Sequence, residues 1–296
     1  MKTKPNKGNV LVTTFKTLIL ALTITSCEKS SNSTPPPVPA IEVQLKTNAS
    51  LGDILTDKDG RTLYYFANDA TTSNTCTGGC EALFPVFNVD NLTAANLGTG
   101  LSLPDFTSIT TQGGKKQLAY KGRPLYYSAP LANGVNITEP PGSTTGENVN
   151  GVWFVAKPDY TIMLTNAQLI GLDGKNYLSD HTEGIGKTVY FTDGKGITLY
   201  TFKNDRLNKN NFTAADFSNN AIWSIYETDK IVVPSALDKT LFGSITVFGR
   251  KQLTYKGWPL YYFGQDAMVM GANKGISFPA PGFWSVPVKN IAQPLP

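Results

Sequence analysis

Apolar and aromatic residues in this chain come in short runs broken by glycine, asparagine, aspartate and proline. No stretch holds an apolar face at helical period long enough for a sizeable helix. Runs of this kind, closed by turn-forming residues, predict short strands. Leu51-Gly-Asp-Ile-Leu-Thr56, the turn Asp57-Lys-Asp-Gly60 and Thr62-Leu-Tyr-Tyr-Phe66 predict a hairpin. Lys187-Thr-Val-Tyr-Phe-Thr192, Asp193-Gly-Lys-Gly196 and Ile197-Thr-Leu-Tyr-Thr-Phe202 predict the same hairpin again, with glycine supplying the positive φ such turns require. A second hairpin turns at Lys-Gly, once in Lys116–Tyr127 and once in Lys251–Tyr262. Pro124 and Pro259 have no N–H to donate, which places them at a strand start or a sheet edge. Gly151-Val-Trp-Phe-Val155 and Gly282-Phe-Trp-Ser-Val286 each predict a closing tryptophan strand. Helix signals reduce to single turns at Thr93-Ala-Ala-Asn96 and Thr213-Ala-Ala-Asp216. The pattern predicts an all-β fold of tandem duplicated, hairpin-rich repeats forming sandwich- or barrel-like units.

One phrase recurs four times, with tyrosines at Tyr64, Tyr126, Tyr200 and Tyr261 and spacings of 62, 74 and 61 residues. The alternation reads as two large repeats of two halves each, residues 41–165 and 166–296, with the junction near 165–180. Whether they make one body or two domains is left open by the pattern.

Residues 1–26 have the layout of a lipoprotein signal. Lys2, Lys4, Lys7 and Lys16 form a basic start, Leu18–Ile24 is a short apolar run, and Ile24-Thr-Ser-Cys27 has the small residues and cysteine that lipid transfer and cleavage require. The competing reading is an ordinary secretory signal that contains a cysteine. Residues 27–40, rich in serine and proline, read as a lipidated tether. Several acyl chains on Cys27 would hold the protein on a membrane, where one alone binds marginally. Glu28, rather than Asp, after the cysteine selects the outer membrane, facing either the periplasm or the surface.

Removing the leader changes the charge. The whole chain is formally +4, but taking four leader lysines from 26 basic residues leaves 22, against 22 acidic ones. Nucleic acid is therefore not an expected partner. With Cys27 committed to lipid, Cys76 and Cys80 are an even pair, and in an oxidising envelope the expectation is a disulfide. Zinc would need two more ligands, and the single histidine, His181, is distant in sequence. No metal or other cofactor is expected.

The chain resembles the bacterial secreted-repeat lipoproteins described by a Tyr-x-(Phe/Trp/Tyr)-x-x-Asp motif. The resemblance rests on Tyr64/Phe66/Asp69, Tyr200/Phe202/Asp205 and Tyr261/Phe263/Asp266, on Cys76-x-x-x-Cys80 before Phe84-Pro85, on Tyr255–Tyr262, and on Trp153 and Trp284. It implies secretion and repetition and lends no reaction. The second copy departs from it at Ser128 and Leu131, and the second repeat has no cysteine pair.

Two readings compete for the repeated residues. Asp69, Asp205 and Asp266 either bind calcium or another ligand, or close their strands by accepting backbone N–H groups. Tyr64 and Phe66 lie on one strand face with Tyr65 on the other, so one face is core and the other is either core or an aromatic platform. Trp153 and Trp284 are expected at equivalent buried positions. No nucleophile elbow, His-Glu-x-x-His, phosphate loop or dinucleotide fingerprint is present, and no catalytic residue is named. The leading expectation is a non-catalytic envelope scaffold that binds a protein, a glycan or the wall. A redox accessory using Cys76/Cys80 and a carbohydrate-active enzyme are the alternatives.

Overall fold

The computed structural model describes Met1 and residues 39–296; Cys27, its signal segment and most of the tether lie outside the described residues. Pro39–Pro296 clusters as one unit. Nineteen short strands in two- and three-stranded antiparallel sheets build it, with one five-residue α-helix and several 3₁₀ turns among the described residues. The all-β expectation holds, in small sheets without a closed barrel.

Each repeat uses the same parts. In the first, Val43–Asn48 pairs with Gly52–Asp57, and Phe106–Thr110, Lys116–Tyr120 and Arg123–Pro124 form a three-stranded sheet. In the second, whose first strand begins at Met163 rather than at the expected 166, Met163–Ile170 pairs with Lys187–Thr192, and Phe242–Val247, Arg250–Tyr255 and Trp258–Pro259 form the equivalent sheet. Both Lys-Gly turns carry two successive positive φ angles, 48° and 82° at Lys121-Gly122 and 49° and 85° at Lys256-Gly257. That conformation matches the twist of the strands it joins, which fixes the register.

The hairpin expected from Leu51 to Phe66 forms only in part. Thr56 and Thr62 make a single bridge, as do Thr192 and Thr198. Beyond it the chain turns away: Tyr64–Phe66 pairs with the closing strand Trp153–Val155, and Thr201–Phe202 pairs with Trp284–Ser285. The first half-strand is thus tied to the last strand of its own repeat. The reason is burial. Leu63, Tyr64, Tyr65 and Phe66 are all buried, so both faces of this strand need apolar cover. Tyr64 and Phe66 enter a cluster with Phe84, Tyr126 and Trp153, while Tyr65 enters another with Phe154, Tyr160, Phe191, Leu199 and Leu253. That second cluster draws on both repeats, so the repeats share a core. An exposed aromatic platform on either face of this strand is excluded by the burial.

Candidate functional site

The repeated tyrosines meet in the middle of each repeat. Tyr64 and Tyr126 exchange backbone hydrogen bonds of 2.8 and 3.0 Å, and Tyr200 and Tyr261 exchange bonds of 2.9 and 3.0 Å. Each pair relates the two halves of its repeat by a local two-fold arrangement.

The side chains repeat the exchange. Tyr126 donates its hydroxyl to Asp69 at 2.6 Å, and Tyr261 donates to Asp205 at 2.9 Å. In the other direction Tyr200 donates to Asp266 at 2.6 Å. The aspartate that follows one half's tyrosine therefore serves the tyrosine of the other half. Each carboxylate also closes its own loop: Asp69 accepts from the Thr75 N–H, Asp205 from Asn211 and Asp266 from Lys274. Asp69, Asp205 and Asp266 are at most 1% exposed. Burial pushes the Asp205 carboxyl up to about 7 and that of Asp266 up to about 6, against the hydrogen bonds that pull each down. Burial raises Asp69 as well, and raises all four tyrosines.

The fourth acid is where the sequence motif breaks. Leu131 stands where an aspartate would complete the second copy, and Tyr64 instead donates to Glu139 at 2.5 Å. Glu139 also accepts from the Thr145 N–H, and the Gly146 N–H reaches the Tyr64 hydroxyl as that of Gly275 reaches Tyr200. Twenty residues separate Tyr126 from Gly146, but fourteen separate Tyr261 from Gly275. The six extra residues correspond to the small hairpin of Leu131–Ala132 and Val135–Asn136, whose Leu131 and Val135 are exposed. Glutamate, longer than aspartate by one methylene, makes the bond to Tyr64 from beyond this insertion.

A third pair of this kind was not singled out in the sequence. Tyr127 donates to Asp57 at 3.0 Å and Tyr262 to Asp193 at 2.8 Å. These acids sit in the turns before Gly60 and Gly196 and accept N–H bonds from Arg61 and Ile197. Gln117 and Gln252 repeat a buried link as well, each accepting from an asparagine, Asn74 at 2.7 Å and Asn210 at 2.8 Å. The shared Lys-Gln-Leu phrase was the available signal for the glutamines. Nothing in the sequence marked Glu139.

That asparagine pair aligns the cysteine loop with its counterpart. Cys76 lies two residues beyond Asn74, and Phe212 lies two beyond Asn210. Cys76 and Cys80 form a disulfide, with Cys76 buried in the cluster that holds Trp153. Phe212 packs edge-on to Trp284 at 4.9 Å. Phe84 stacks on Trp153 and Trp223 on Trp284, both at 3.6 Å, so Phe84 and Trp223 are equivalent, as are the two closing tryptophans. Phe202 packs on Trp284 and Phe263 on Trp223. The loop after Asn74 contains the short helix Gly79–Leu83.

His181 lies elsewhere, sharing a 2.8 Å hydrogen bond with Ser285, and burial lowers its pKa. Among the described residues no group of three or more His, Cys, Asp or Glu side chains is placed to hold a metal, and no helix is long and apolar enough to cross a membrane. Chemically, the arrangement joins buried tyrosine hydroxyls to carboxyl groups that also hold the backbone of nearby loops.

No curated protein and no solved structure matches the chain. One family model matches it in two places, residues 47–87 and 246–276. The first segment holds Tyr64, Asp69 and the disulfide; the second holds Tyr261 and Asp266. These two segments are similar to the Lipoprotein_15 family, described as a secreted repeat of unknown function.

Proposed function

We propose that this protein is a non-catalytic lipoprotein of the bacterial cell envelope, anchored through Cys27 to the outer membrane, whose duplicated β body is a scaffold for a protein partner, a glycan or a wall component. The observation that supports this reading is the fate of the repeated motif. Its tyrosines and acids face inward and saturate one another, so the duplicated residues build a rigid frame. A motif kept for chemistry would leave at least one such group open to a substrate. The replacement of Cys76 by Phe212 in the second repeat argues in the same direction: where the disulfide is absent, packing takes its place.

Two measurements test the reading. Replacing Cys27 with Ser should shift the protein from the detergent-soluble membrane fraction to a soluble or uncleaved form. Cross-linking in intact cells should recover defined neighbours with the native protein. A mature N-terminus elsewhere, or an intact mass without lipid, would remove the anchor.

A further inference from the structure

The second repeat seats an arginine, and the first repeat contains part of the equivalent seat. Arg123 rides the Lys121-Gly122 turn of the first repeat and is 2% exposed. Its Nη1 donates to the Asp69 carbonyl at 2.8 Å. Its Nη2 crosses into the second repeat and donates to Thr165 Oγ1 at 2.6 Å and Thr192 Oγ1 at 3.5 Å. The guanidinium lies over Gly196, where an added Cβ would come within 3.2 Å of Nη2 and 2.8 Å of Met270 Cγ. The carboxylates of Asp69 and Asp193 favour its charge, which burial opposes.

The turn glycine, the bridging threonine and the turn aspartate of that seat have counterparts in the first repeat. Thr56 corresponds to Thr192, since each bridges the threonine six residues on, and Gly60 corresponds to Gly196. Asp57 corresponds to Asp193. The Gly142 N–H bonds the Gly60 carbonyl as that of Gly271 bonds Gly196, which sets Pro141 where Met270 stands. Strand register sets Lys46 opposite Ile54 as Thr165 is set opposite Tyr190.

No guanidinium enters this copy. A groove of about 350 Å³ remains, lined among others by Lys46, Ile54, Thr56, Asp59, Gly60 and Pro141. Thr56 is 1% exposed, and among the described residues its hydroxyl has no hydrogen-bond partner. An added Cβ on Gly60 would meet only Pro141, at 3.7 Å. Asp59 stands where the second repeat has Lys195, and Lys46 stands where it has Thr165. Asp59 also holds Arg61 at 2.8 Å on the rim.

We propose that this groove receives an arginine side chain presented on a tight turn of a partner protein built on the same repeat. The turn that fills the second seat has the sequence Lys-Gly-Arg-Pro, so the matching ligand is a guanidinium on such a turn. A second copy of this chain does not supply it. Its Arg123 is already seated, and its other turn carries Trp258, whose indole donates to the Ala292 carbonyl at 2.7 Å under the C-terminal tail. The inference deepens the scaffold reading by naming the chemistry of the partner.

The test is a titration of the purified, isotope-labelled protein with a cyclised hairpin peptide of the sequence Leu118–Tyr127. Amide shifts at Thr56, Gly60 and Gly142 are expected. Arg123→Ala in the peptide should weaken binding at least about tenfold, as expected for loss of a charged hydrogen-bonding group. Thr56→Val and Asp59→Lys in the protein should weaken it with the melting temperature unchanged; Asp59 is exposed, so that variant tests the groove without touching the core. Absence of shifts at millimolar peptide, or shifts that survive the arginine substitution, would overturn the groove. An empty titration with cross-linked neighbours still recovered from cells would overturn the groove alone, while loss of both would overturn the scaffold.

Discussion

Replacing Asp205 with Asn should make the protein's stability less sensitive to pH between about 4 and 7. The Asp205 carboxyl is pushed from an ordinary 3.8 to about 7 by burial. A group raised in the folded state keeps its proton there over a range in which the unfolded chain has lost it. The unfolded state then binds fewer protons, so stability falls as pH rises from about 4 to about 7 and is level above that. At about 1.4 kcal/mol per pH interval the loss is about 4 kcal/mol. Asn presents the neutral shape of the protonated acid to the Tyr261 hydroxyl and the Asn211 N–H, so it should escape this loss. The assay is urea denaturation followed by tryptophan fluorescence at several pH values from 4 to 8, since Trp284 packs against Tyr261 at 5.1 Å. Measured against the native protein, Asp205→Asn should gain about 4 kcal/mol across that range. A difference that stays flat, or runs the other way, would show that Asp205 is ionised in the fold and would refute the reasoning.

Trp284→Ala should cost about 3–5 kcal/mol in the same denaturation assay, because the indole is buried and stacked on Trp223; an unchanged midpoint would contradict the packing. Changing both Cys76 and Cys80 to Ser should open the loop around Gly79–Leu83 to limited proteolysis while the rest stays folded, at a cost of about 2 kcal/mol or less for so short a loop. Arg123→Ala should cost about 2–4 kcal/mol by urea denaturation, since it leaves a void, unpairs the Asp69 carbonyl and removes the bond to the Thr165 hydroxyl. An Arg123→Ala protein as stable as the native one would mean the junction does not depend on it.

The strands were legible where local chemistry decides them. Lys121-Gly122 and Lys256-Gly257 had to turn, and the residues flanking them had to pair, because both constraints act within a dozen positions. The partner of Tyr64–Phe66 was not legible, since Trp153–Val155 lies far along the chain and only burial on two faces selects it. The acids were visible as motif members, but who bonds whom was hidden: Asp69 looks like the neighbour of Tyr64 and serves Tyr126. Glu139 was hidden by the insertion before it. Arg123 reads as an ordinary surface arginine beside a turn, and only assembly of the two repeats buries it.

The crossing of partners within each repeat bears on ancestry and on cutting. A half-repeat by itself would hold a tyrosine hydroxyl whose acid lies on the other half, and an acid whose tyrosine does too. Two identical halves meeting face to face satisfy both at once, which is the self-complementary contact of a symmetric dimer. The fold has the form such a dimer would take with its subunits joined end to end, twice over. A chain severed in the linker between Tyr64 and Tyr126 should yield fragments that reassemble with each other rather than fold apart.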